Sequence, residues 1–252
     1  MKHSGLLGRN INYSISPSIH NEYYKDHNIN LKYEIFDYDN IEDFIIDIKS
    51  KDILGFNVTI PYKEKIIEYL QELEYPANKI KAVNTVLIKE GKLIGYNTDY
   101  FGFVKSLQNN NINVKNKNAL IIGCGGAAKA VFYGLKDLNI KSIHMAVRNK
   151  ENIIKSQLDI DKILNLNEDI DLRSYDIVIN CTPLGGKNYE GISPVNIKFC
   201  EENTVFYDLN YTPEITAFME EGKKYNCKTI NGYDMLINQA YKAIEIWVEN
   251  LI

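Results

Sequence analysis

The sequence predicts an α/β fold, and two observations support this prediction. In the first half of the 252 residues, short apolar runs with strand character alternate with amphipathic segments, an order typical of βαβ units and a parallel sheet. In the second half, the apolar run Ala119–Ile122 leads directly into Gly123-Cys124-Gly125-Gly126-Ala127-Ala128. A strand that enters a G-x-G-x-x-G/A turn and continues as a helix is the context of a dinucleotide site, so we predict a Rossmann-type domain there.

Apolar periodicity and turn residues predict the elements of the first half. Gly5–Leu7 indicates a short strand that Gly8 ends, and Ser16 before Pro17 indicates a helix with Ser16 as its N-cap. Glu90-Gly91 lies between two strand-like runs and indicates a hairpin turn. The other predicted elements are strands at 33–37, 53–59, 82–88 and 92–96, and helices at 39–49, from Pro61 to Leu70, and from the residue after Asp99 to about Gln108.

A polar break at Asn109–Asn111 separates the two halves and predicts the domain boundary. Beyond the glycine loop we predict strands at 142–147, 177–180 and 205–209, and helices at 214–225 and 233–251. The last helix carries a broad apolar face, so we expect it to return to the first domain and pack on it. The predicted domains are residues 1–100 with 232–252, and residues 101–231.

The composition is that of an ordinary globular chain. Apolar residues make up 45% and charged residues 25%, and the formal net charge is −4, so the chain lacks the basic charge that binds nucleic acid or an anionic membrane. No apolar run is long enough to span a bilayer. The four cysteines and four histidines show no metal-ligand spacing, so we expect reduced thiols, a cytoplasmic location and no metal. The expected partners are small molecules, and the expected assembly is a monomer or homodimer.

The small residues of the glycine loop each have a physical role in a dinucleotide site. Gly123 allows the tight turn, Gly125 lets the backbone approach a pyrophosphate, and Ala128 lets the helix pack closely on its strand. The N–H groups at the helix start, around Gly126 and Ala127, face the phosphates. An ordinary glycine-rich turn is the alternative, and the flanking strand and helix make it the weaker interpretation.

Arg148 indicates which dinucleotide is bound. It directly follows the predicted strand 142–147. A carboxylate at this place would bind the ribose 2′-hydroxyl of NAD, whereas an arginine suits the 2′-phosphate of NADP. No carboxylate occurs before Glu151, so NADP is favoured. An unrelated loop arginine is the alternative.

Polar residues at the strand ends of the first half are candidates for binding and chemistry. Asn57, Thr59 and Lys63 stand at the end of the predicted strand 53–59, where α/β sheets bind ligands. Asn57 and Thr59 project from the same side of the strand and offer an amide and a hydroxyl to a polyhydroxylated ligand. Taken alone, Lys63 is more often a solvated surface residue. Asp99 precedes a helix and is expected to act as its N-cap, alongside a role in the site.

Taken in order, these segments resemble the shikimate dehydrogenase family over nearly the whole chain. Ser14 and Ser16 alone indicate only a turn and an N-cap, but eight blocks in the family's order are a specific signal. The blocks are Ser14-Ile-Ser16-Pro17-Ser-Ile-His20, Asn57-Val-Thr-Ile-Pro-Tyr-Lys63, Ala82-Val-Asn84-Thr85, Gly95-Tyr-Asn97-Thr98-Asp99, the Gly123 loop, Asn180-Cys-Thr182-Pro, Asp208-Leu-Asn-Tyr211-Thr-Pro213 and Gly232-Tyr-Asp-Met235-Leu-Ile-Asn-Gln239-Ala240.

The resemblance implies a two-domain enzyme that reversibly reduces 3-dehydroshikimate to shikimate with NADPH, binding substrate in the first domain and NADP in the second. It implies that Lys63 and Asp99 handle the proton at the reacting oxygen. Because the base in oxidation must be neutral lysine, the oxidative rate is expected to rise at alkaline pH. The implied shikimate contacts are Ser14 and Ser16, which bind the carboxylate, with Asn57, Thr59, Asn84, Tyr211 and Gln239. The implied NADP contacts are Gly123, Gly125, Gly126, Ala127, Ala128, Arg148, Asn149, Thr182 and Gly232.

The chain departs from the family pattern at three places. Tyr13 stands where a histidine is frequent, which alters the mouth of the substrate pocket. Asn149 stands where the phosphate-binding loop often has a small hydroxyl residue, which weakens the expected NADP preference. The loop after Gly186 is short and carries a tyrosine, so the nicotinamide contacts stay unassigned.

Three alternative functions account for these residues less well. An NAD-using quinate/shikimate dehydrogenase would be expected to offer an acidic residue near position 148, and none is present. A non-catalytic metabolite sensor could lose Lys63 or Asp99, and both are present. A tetrahydrofolate dehydrogenase would not account for Ser14 and Ser16 together with the block that ends at Lys63.

Overall fold

The computed structural model describes residues 2–151 and 158–251 and has the mixed α/β architecture that the sequence predicts. The chain divides into two compact units. The first comprises Met1–Gly102 and Ile237–Ile252, and the second comprises Phe103–Leu236. Each unit is built on a sheet of six strands that has apolar clusters of its own.

Strands and helices alternate along the described residues. The strands are β1 (Lys2–Gly8), β2 (Leu31–Asp37), β3 (Ile53–Val58), β4 (Glu72–Leu73), β5 (Thr85–Lys89), β6 (Lys92–Tyr96), β7 (Asn118–Ile122), β8 (Ser142–Val147), β9 (Lys162–Asn165), β10 (Ile170–Asp171), β11 (Ile177–Asn180), β12 (Ile197–Phe199), β13 (Val205–Asp208) and β14 (Lys228–Ile230). The α-helices are α1 (Ser16–Asp26), α2 (Ile41–Asp47), α3 (Ala77–Ile80), α4 (Thr98–Asn109), α5 (Gly126–Asp137), α6 (Ala217–Lys224) and α7 (Tyr233–Val248).

The sheet of the first unit has the strand order β2-β1-β3-β5-β6-β4. Strand β1 pairs in parallel with β2 and β3, whereas β5 pairs antiparallel with β3 and β6. Successive residues of β1 and β3 belong to different clusters: Leu7 and Ile53 pack in the cluster of Phe44, and Leu6 and Leu54 pack with residues of α7. Side chains alternate between the faces of a strand, so apolar layers cover both faces of this sheet.

Trp247 shows why the end of α7 belongs to the first unit. Its side chain is fully buried, and its indole Nε1 donates to the carbonyl of Val86 on β5 at 3.0 Å. Gly55 on β3 provides the space, because a Cβ atom there would clash with Nε1 of Trp247. The apolar face predicted for this helix therefore packs on the sheet, as expected.

The predicted helix from Pro61 to Leu70 is wrong. This segment contains only a short 3₁₀-helix, Lys65–Tyr69. The carbonyl of Lys63 accepts from the backbone N–H of Val83 at 2.7 Å, so it is unavailable to an α-helical turn.

In contrast, the hairpin turn at Glu90-Gly91 is confirmed: both residues have positive φ, at 52° and 75°, and β5 and β6 flank them. Strand β5 begins at Thr85, later than predicted, and β4 and α3 were not predicted.

The sheet of the second unit is parallel, with the order β14-β13-β11-β7-β8-β9. Counted from β7, this is the 3-2-1-4-5-6 order of the Rossmann fold, as the glycine loop predicted. Residues of β7 alternate between two clusters, Ala119 and Ile121 in one and Leu120 and Ile122 in the other. The order of the strands reverses between β7 and β11, so this unit has a topological switch point at their carboxyl ends, where ligands bind in such sheets.

The short elements of the second unit were the hardest to predict. Strands β9, β10 and β12 have at most four residues each and were not predicted. Helix α6 begins at Ala217 instead of 214, because Thr216 acts as its N-cap and accepts from Met219 N at 3.3 Å. The assignment of substrate and dinucleotide roles to domains with the limits 1–100 with 232–252 and 101–231 stays a prediction.

Candidate active site

Lys63 and Asp99 form a partly buried ion pair in the first unit. Nζ of Lys63 lies 2.5 Å from Oδ2 of Asp99, and their side chains are 20% and 11% exposed. Lys63 follows β3, where a turn is closed by the bond from Tyr62 N to Thr59 O at 2.8 Å. Lys63 is therefore not the solvated surface lysine that composition alone favours, and its ammonium group is held at a defined position by a carboxylate.

Asn84 donates a hydrogen bond to the other carboxylate oxygen of Asp99. Its Nδ2 donates to Oδ1 of Asp99 at 2.9 Å, and its Oδ1 accepts from the backbone N–H of Thr98 at 2.6 Å. Oε1 of Gln239, on α7, lies 3.4 Å from the same Nδ2. Four residues predicted to bind ligand or act in catalysis, Lys63, Asn84, Asp99 and Gln239, thus meet in one hydrogen-bonded group.

Asp99 does not cap its helix, contrary to the expectation from its position. Helix α4 begins at Thr98, so Asp99 lies within the first turn. Asn97 takes the capping role, because its Oδ1 accepts from the backbone N–H of Tyr100 at 3.2 Å. This arrangement leaves both carboxylate oxygens of Asp99 for Lys63 and Asn84.

Asn57 is buried, and internal partners surround its amide. Its Nδ2 donates to Oγ1 of Thr85 at 2.9 Å and to the carbonyl of Asn84 at 3.2 Å, and its Oδ1 accepts from the hydroxyl of Tyr33 at 2.7 Å. Both amide hydrogens are therefore engaged within the protein. A contact from Asn57 to ligand stays a prediction, and the structure shows in addition that Asn57 ties β3 to the segment that carries Asn84. Thr59 follows β3 and is partly exposed.

Ser14 and Ser16 lie side by side at the start of α1. Oγ of Ser14 donates to Oγ of Ser16 at 3.1 Å and accepts from the backbone N–H of Ser16 at 3.2 Å. Ser16 is the first residue of the helix and Ile15 is its N-cap, without a side-chain capping bond. The predicted N-cap role of Ser16 is therefore wrong, because Ser14 supplies the oxygen that satisfies the first N–H group. Tyr13, the departure from the family pattern, is exposed.

Sequence analysis missed three residues of this network: Tyr33, Thr85 and Thr98. Thr85 and Thr98 belong to quoted blocks, directly after Asn84 and Asn97, and their hydroxyls lie 3.1 Å apart. The position of Thr85 and Thr98 directly after these two asparagines was the sequence signal that could have identified them as members of the network. Tyr33 gave no signal, because its hydroxyl reaches Asn57 from β2 across the sheet. Burial raises the pKa of Tyr33 well above its usual value, although a hydrogen bond with Ser16 opposes this shift.

His20 is fully buried beneath this network. Its ring stacks on Tyr33 with centroids 3.9 Å apart, and among the described residues neither ring nitrogen has a hydrogen-bond partner. Burial lowers its pKa to about 3. His20 is thus a neutral aromatic residue at ordinary pH.

The glycine loop of the second unit has the local geometry expected of a phosphate cradle. Gly123 has φ of +102°, which favours glycine. Gly125 precedes α5 without any side-chain cap, and a Cβ atom there would meet nothing within 4 Å. The N–H groups at the start of α5, from Gly126 and Ala127, therefore lie beside open space. Ala128 is fully buried in the core that includes β7, as predicted for the position that brings helix and strand together.

Arg148 and Thr182 line one cavity of about 260 Å³ in the second unit. Arg148 is exposed at the end of β8, and Tyr189 lies in the wall of the cavity. Thr182 follows β11 and approaches the glycine loop, because a Cβ atom on Gly123 would be 3.0 Å from its Cγ2. Asn149, next to Arg148, accepts from the backbone N–H of Glu151 at 2.9 Å.

A buried carboxylate that sequence analysis did not single out supports the Thr182 segment. Oδ1 of Asp208 accepts from Asn180 Nδ2 at 3.0 Å and from Asn210 N at 2.9 Å, and its Oδ2 accepts from Thr216 Oγ1 at 2.6 Å. Asn180 in turn accepts from the Thr182 hydroxyl at 2.7 Å. Burial raises the pKa of Asp208, against the effect of these hydrogen bonds. The signal available in the sequence was the pair of blocks at 180–183 and 208–213.

Gly232 and Tyr211 are the last two of the predicted site residues. A Cβ atom on Gly232 would clash with the carbonyl oxygen of Leu209, so this glycine is required for close packing of two backbone segments. Tyr211 is partly buried in the second unit. Contacts of these two residues with cofactor or substrate stay predictions.

Residues 2–151 and 158–251 also bear on metal binding and membrane insertion. Within these ranges, no three His, Cys, Asp or Glu side chains are grouped as metal ligands. Over the same residues, no helix has the length and hydropathy needed to cross a membrane.

Comparison with known sequences gives a consistent set of relatives. The family model for the shikimate dehydrogenase substrate binding domain matches residues 6–86. The NADP⁺-dependent shikimate dehydrogenase of Clostridium botulinum strain 657 is 52% identical over 252 residues, which cover 98% of this chain and 96% of that relative.

Two solved structures are similar over almost the whole chain. A shikimate dehydrogenase crystallised with NADP⁺ is 39% identical, with a TM-score of 0.91 and coverage of 99% of this chain and 90% of that chain. The enzyme of Thermus thermophilus, in complex with NADP(H) and shikimate, is 29% identical, with a TM-score of 0.89 and coverage of 99% and 94%.

Proposed function

The chain belongs to the shikimate dehydrogenase family, and we propose that it catalyses the reversible reduction of 3-dehydroshikimate to shikimate with NADPH, using Lys63 and Asp99 for the proton. One observation carries the assignment of these residues: Nζ of Lys63 lies 2.5 Å from Asp99, whose other oxygen is held by Asn84. An ammonium group fixed in this way is a proton donor at a defined position, which is what reduction of a carbonyl requires of the protein.

The residues of the first unit suit a small hydroxylated acid. The hydroxyls of Ser14 and Ser16 are adjacent, and by rotating about their C–O bonds both can donate to a carboxylate. Thr59, Asn84 and Gln239 supply hydroxyl and amide groups for the ring hydroxyls, and Tyr211 is proposed to lie near the substrate. Asn57 is proposed to act both as a contact and as the brace of the Asn84 segment. Lys63 then stands at the oxygen that changes between carbonyl and hydroxyl.

The second unit fits an NADP molecule by its own geometry. The open space at Gly125 and the uncapped start of α5 suit a pyrophosphate, because backbone N–H groups and the helix dipole both favour an anion. Arg148 and Asn149 are proposed to hold the adenosine 2′-phosphate, and Thr182 to border the cofactor. Further proposed contacts are Gly123, Gly126, Ala127, Ala128 and Gly232. The domain limits proposed for this division of roles are 1–100 with 232–252, and 101–231.

The proton is the part of the reaction that the protein must manage. NADPH supplies the hydride when it is bound. During reduction, protonated Lys63 donates to the oxygen of the substrate carbonyl as charge develops there. During oxidation, neutral Lys63 accepts the proton of the hydroxyl, so the oxidative rate rises at alkaline pH. Asp99 orients the lysine through its short contact with Nζ, and Asn84 orients Asp99.

We propose further that the enzyme works in the cytoplasm as a monomer or homodimer. Its four cysteines carry free thiols, which supports a reducing compartment. Size-exclusion chromatography with light scattering measures the assembly, and a mass above two chains would contradict the proposal.

Steady-state oxidation of shikimate and of quinate, each with NADP and with NAD, tests the function. We expect clear preference for shikimate with NADP. Comparable rates with quinate or with NAD would move the protein to the quinate/shikimate class. Tight cofactor binding without turnover of any pair would instead identify a sensor.

A further inference from the structure

Two cysteines of the second unit lie against each other. Sγ of Cys200 is 3.7 Å from Sγ of Cys227. Cys200 directly follows β12, and Cys227 directly precedes β14. Both thiols also lie within 3.5 Å of the carbonyl oxygen of Glu201. The chain between them contains β13 and α6, so the contact joins two segments that are distant in sequence.

We propose that Cys200 and Cys227 form a thiol pair that oxidises to an intramolecular disulfide by exchange with a low-molecular-weight disulfide. Disulfide formation requires two sulfur atoms to approach to about 2.05 Å, so the observed contact needs only a small movement of two side chains. The proposal does not depend on the proposed function.

Exposure determines the order of the reaction. Cys200 is partly exposed, whereas Cys227 is buried, and burial next to Cys200 raises the pKa of Cys227 to about 12. The thiolate of Cys200 therefore attacks first. It displaces one thiol of the small disulfide and forms a mixed disulfide with the other. Cys227 then loses its proton and attacks Sγ of Cys200, and the second small thiol leaves. Two protein thiols are oxidised, and one small disulfide is reduced to two thiols.

The cysteine pair lies at the amino-terminal ends of the strands, whereas the dinucleotide loops lie at their carboxyl ends. Lys228, the neighbour of Cys227, starts β14 and is paired with Val205 at the start of β13. The loops at Gly123, Arg148 and Thr182 follow the carboxyl ends of β7, β8 and β11, which are parallel to β13. Oxidation is therefore expected to leave turnover within about twofold of the reduced enzyme. It is expected to raise the melting temperature by several degrees, because the cross-link restricts the unfolded chain.

Peptide mapping after oxidation of the native, full-length protein tests the proposal. The protein is incubated with oxidised glutathione, alkylated and digested with trypsin, which places Cys200 in peptide 199–223 and Cys227 in peptide 225–228. We expect these two peptides to be joined, the intact mass to fall by two hydrogen atoms, and dithiothreitol to reverse both changes. We expect Cys124 and Cys181 to remain reduced during oxidation and therefore to be alkylated. They are found in peptides 118–129 and 174–187.

Two variants make the result decisive. Cys200→Ser removes the attacking thiol and is expected to give no cross-link. Cys227→Ser is expected to stop at a glutathione adduct on Cys200. A wild-type protein that keeps such an adduct without forming the cross-link would overturn the proposal, as would joined peptides that contain Cys124 or Cys181. The melting temperature of each reduced variant verifies that it is folded.

Discussion

Asn84 and Asp99 are joined by a hydrogen bond of 2.9 Å from the amide Nδ2 to Oδ1 of the carboxylate. Because Lys63 uses Oδ2, the carboxylate has one partner on each oxygen and cannot rotate without losing one of them. Asn84 is itself fixed, since the backbone N–H of Thr98 donates to its Oδ1 at 2.6 Å. The orientation of the lysine thus depends on an asparagine that precedes β5.

Replacement of Lys63 tests its role as proton donor. We expect Lys63→Ala to lower kcat about 10²- to 10⁴-fold, the usual range for loss of a positioned acid or base, and to leave the melting temperature close to that of the wild type. Lys65→Ala is the matched control, since Lys65 is exposed and lies 3.5 Å from Glu42. Near-normal kcat in Lys63→Ala would show that another group handles the proton.

Replacement of Asn84 is expected to affect both turnover and stability. Asn84→Ala frees Oδ1 of Asp99 and leaves the buried N–H of Thr98 without its acceptor, a loss of about 1–3 kcal/mol. We expect kcat to fall at least about tenfold and the melting temperature to fall by several degrees. Asn21→Ala is the control, because within the described part of the chain the Asn21 side chain bonds the backbone of Tyr33 and no group of the Lys63 network. This variant should lose stability and keep kcat. Equal kcat values for the two variants would contradict the orienting role.

Arg148 is expected to set the preference between NADP and NAD. Loss of a hydrogen-bonded charge pair typically costs about 1.5–3 kcal/mol, so Arg148→Ala should raise KM for NADP about 10- to 100-fold and change KM for NAD little. Arg173→Ala is the control, because this exposed arginine of the same unit is paired with Asp171. Equal increases of KM for both cofactors would show that Arg148 does not contact the 2′-phosphate.

Local sequence signals predicted the parts of the candidate site that lie at strand ends. Lys63 and Asp99 were identified because each follows a strand-like run in a recognisable block, and Gly123 because a strand and a helix flank it. The Rossmann-type domain was predicted from the same local signal, a strand that enters a glycine turn and continues as a helix. These features depend on neighbours within a few residues, which a sequence pattern records directly.

The features that sequence analysis missed depend on distant pairings. The hydroxyl of Tyr33 reaches Asn57 only because β2, β1 and β3 are neighbours in the sheet. The segment after Pro61 does not form the predicted α-helix because the backbone N–H of Val83, twenty residues after Lys63, donates to the carbonyl of Lys63. The contact between Cys200 and Cys227 likewise results from the tertiary fold. No local periodicity encodes these relationships.

The buried His20 predicts how stability depends on pH. Its pKa is about 3 in the folded protein against 6.5 for an ordinary histidine, so between these values the unfolded chain binds a proton that the folded chain does not. Unfolding is therefore favoured as pH falls below about 6.5, and stability rises with pH across this window. Burial raises the pKa of the neighbouring Tyr24 and Tyr33, so both stay neutral there and do not obscure the effect.

The measurement is urea unfolding at pH 7 and pH 5, followed by the fluorescence of the single tryptophan, Trp247, which is buried in the same unit. His20→Phe keeps a ring against Tyr33 and removes the titrating group. We expect its loss of stability between the two pH values to be smaller than that of the wild type by about 2 kcal/mol, since one pKa unit corresponds to about 1.4 kcal/mol. His27→Phe, at an exposed histidine that follows α1, is expected to keep the wild-type difference. If His20→Phe lost as much stability as the wild type between pH 7 and pH 5, groups other than His20 would account for the acid sensitivity. That result would contradict a lowered pKa of His20 in the folded protein.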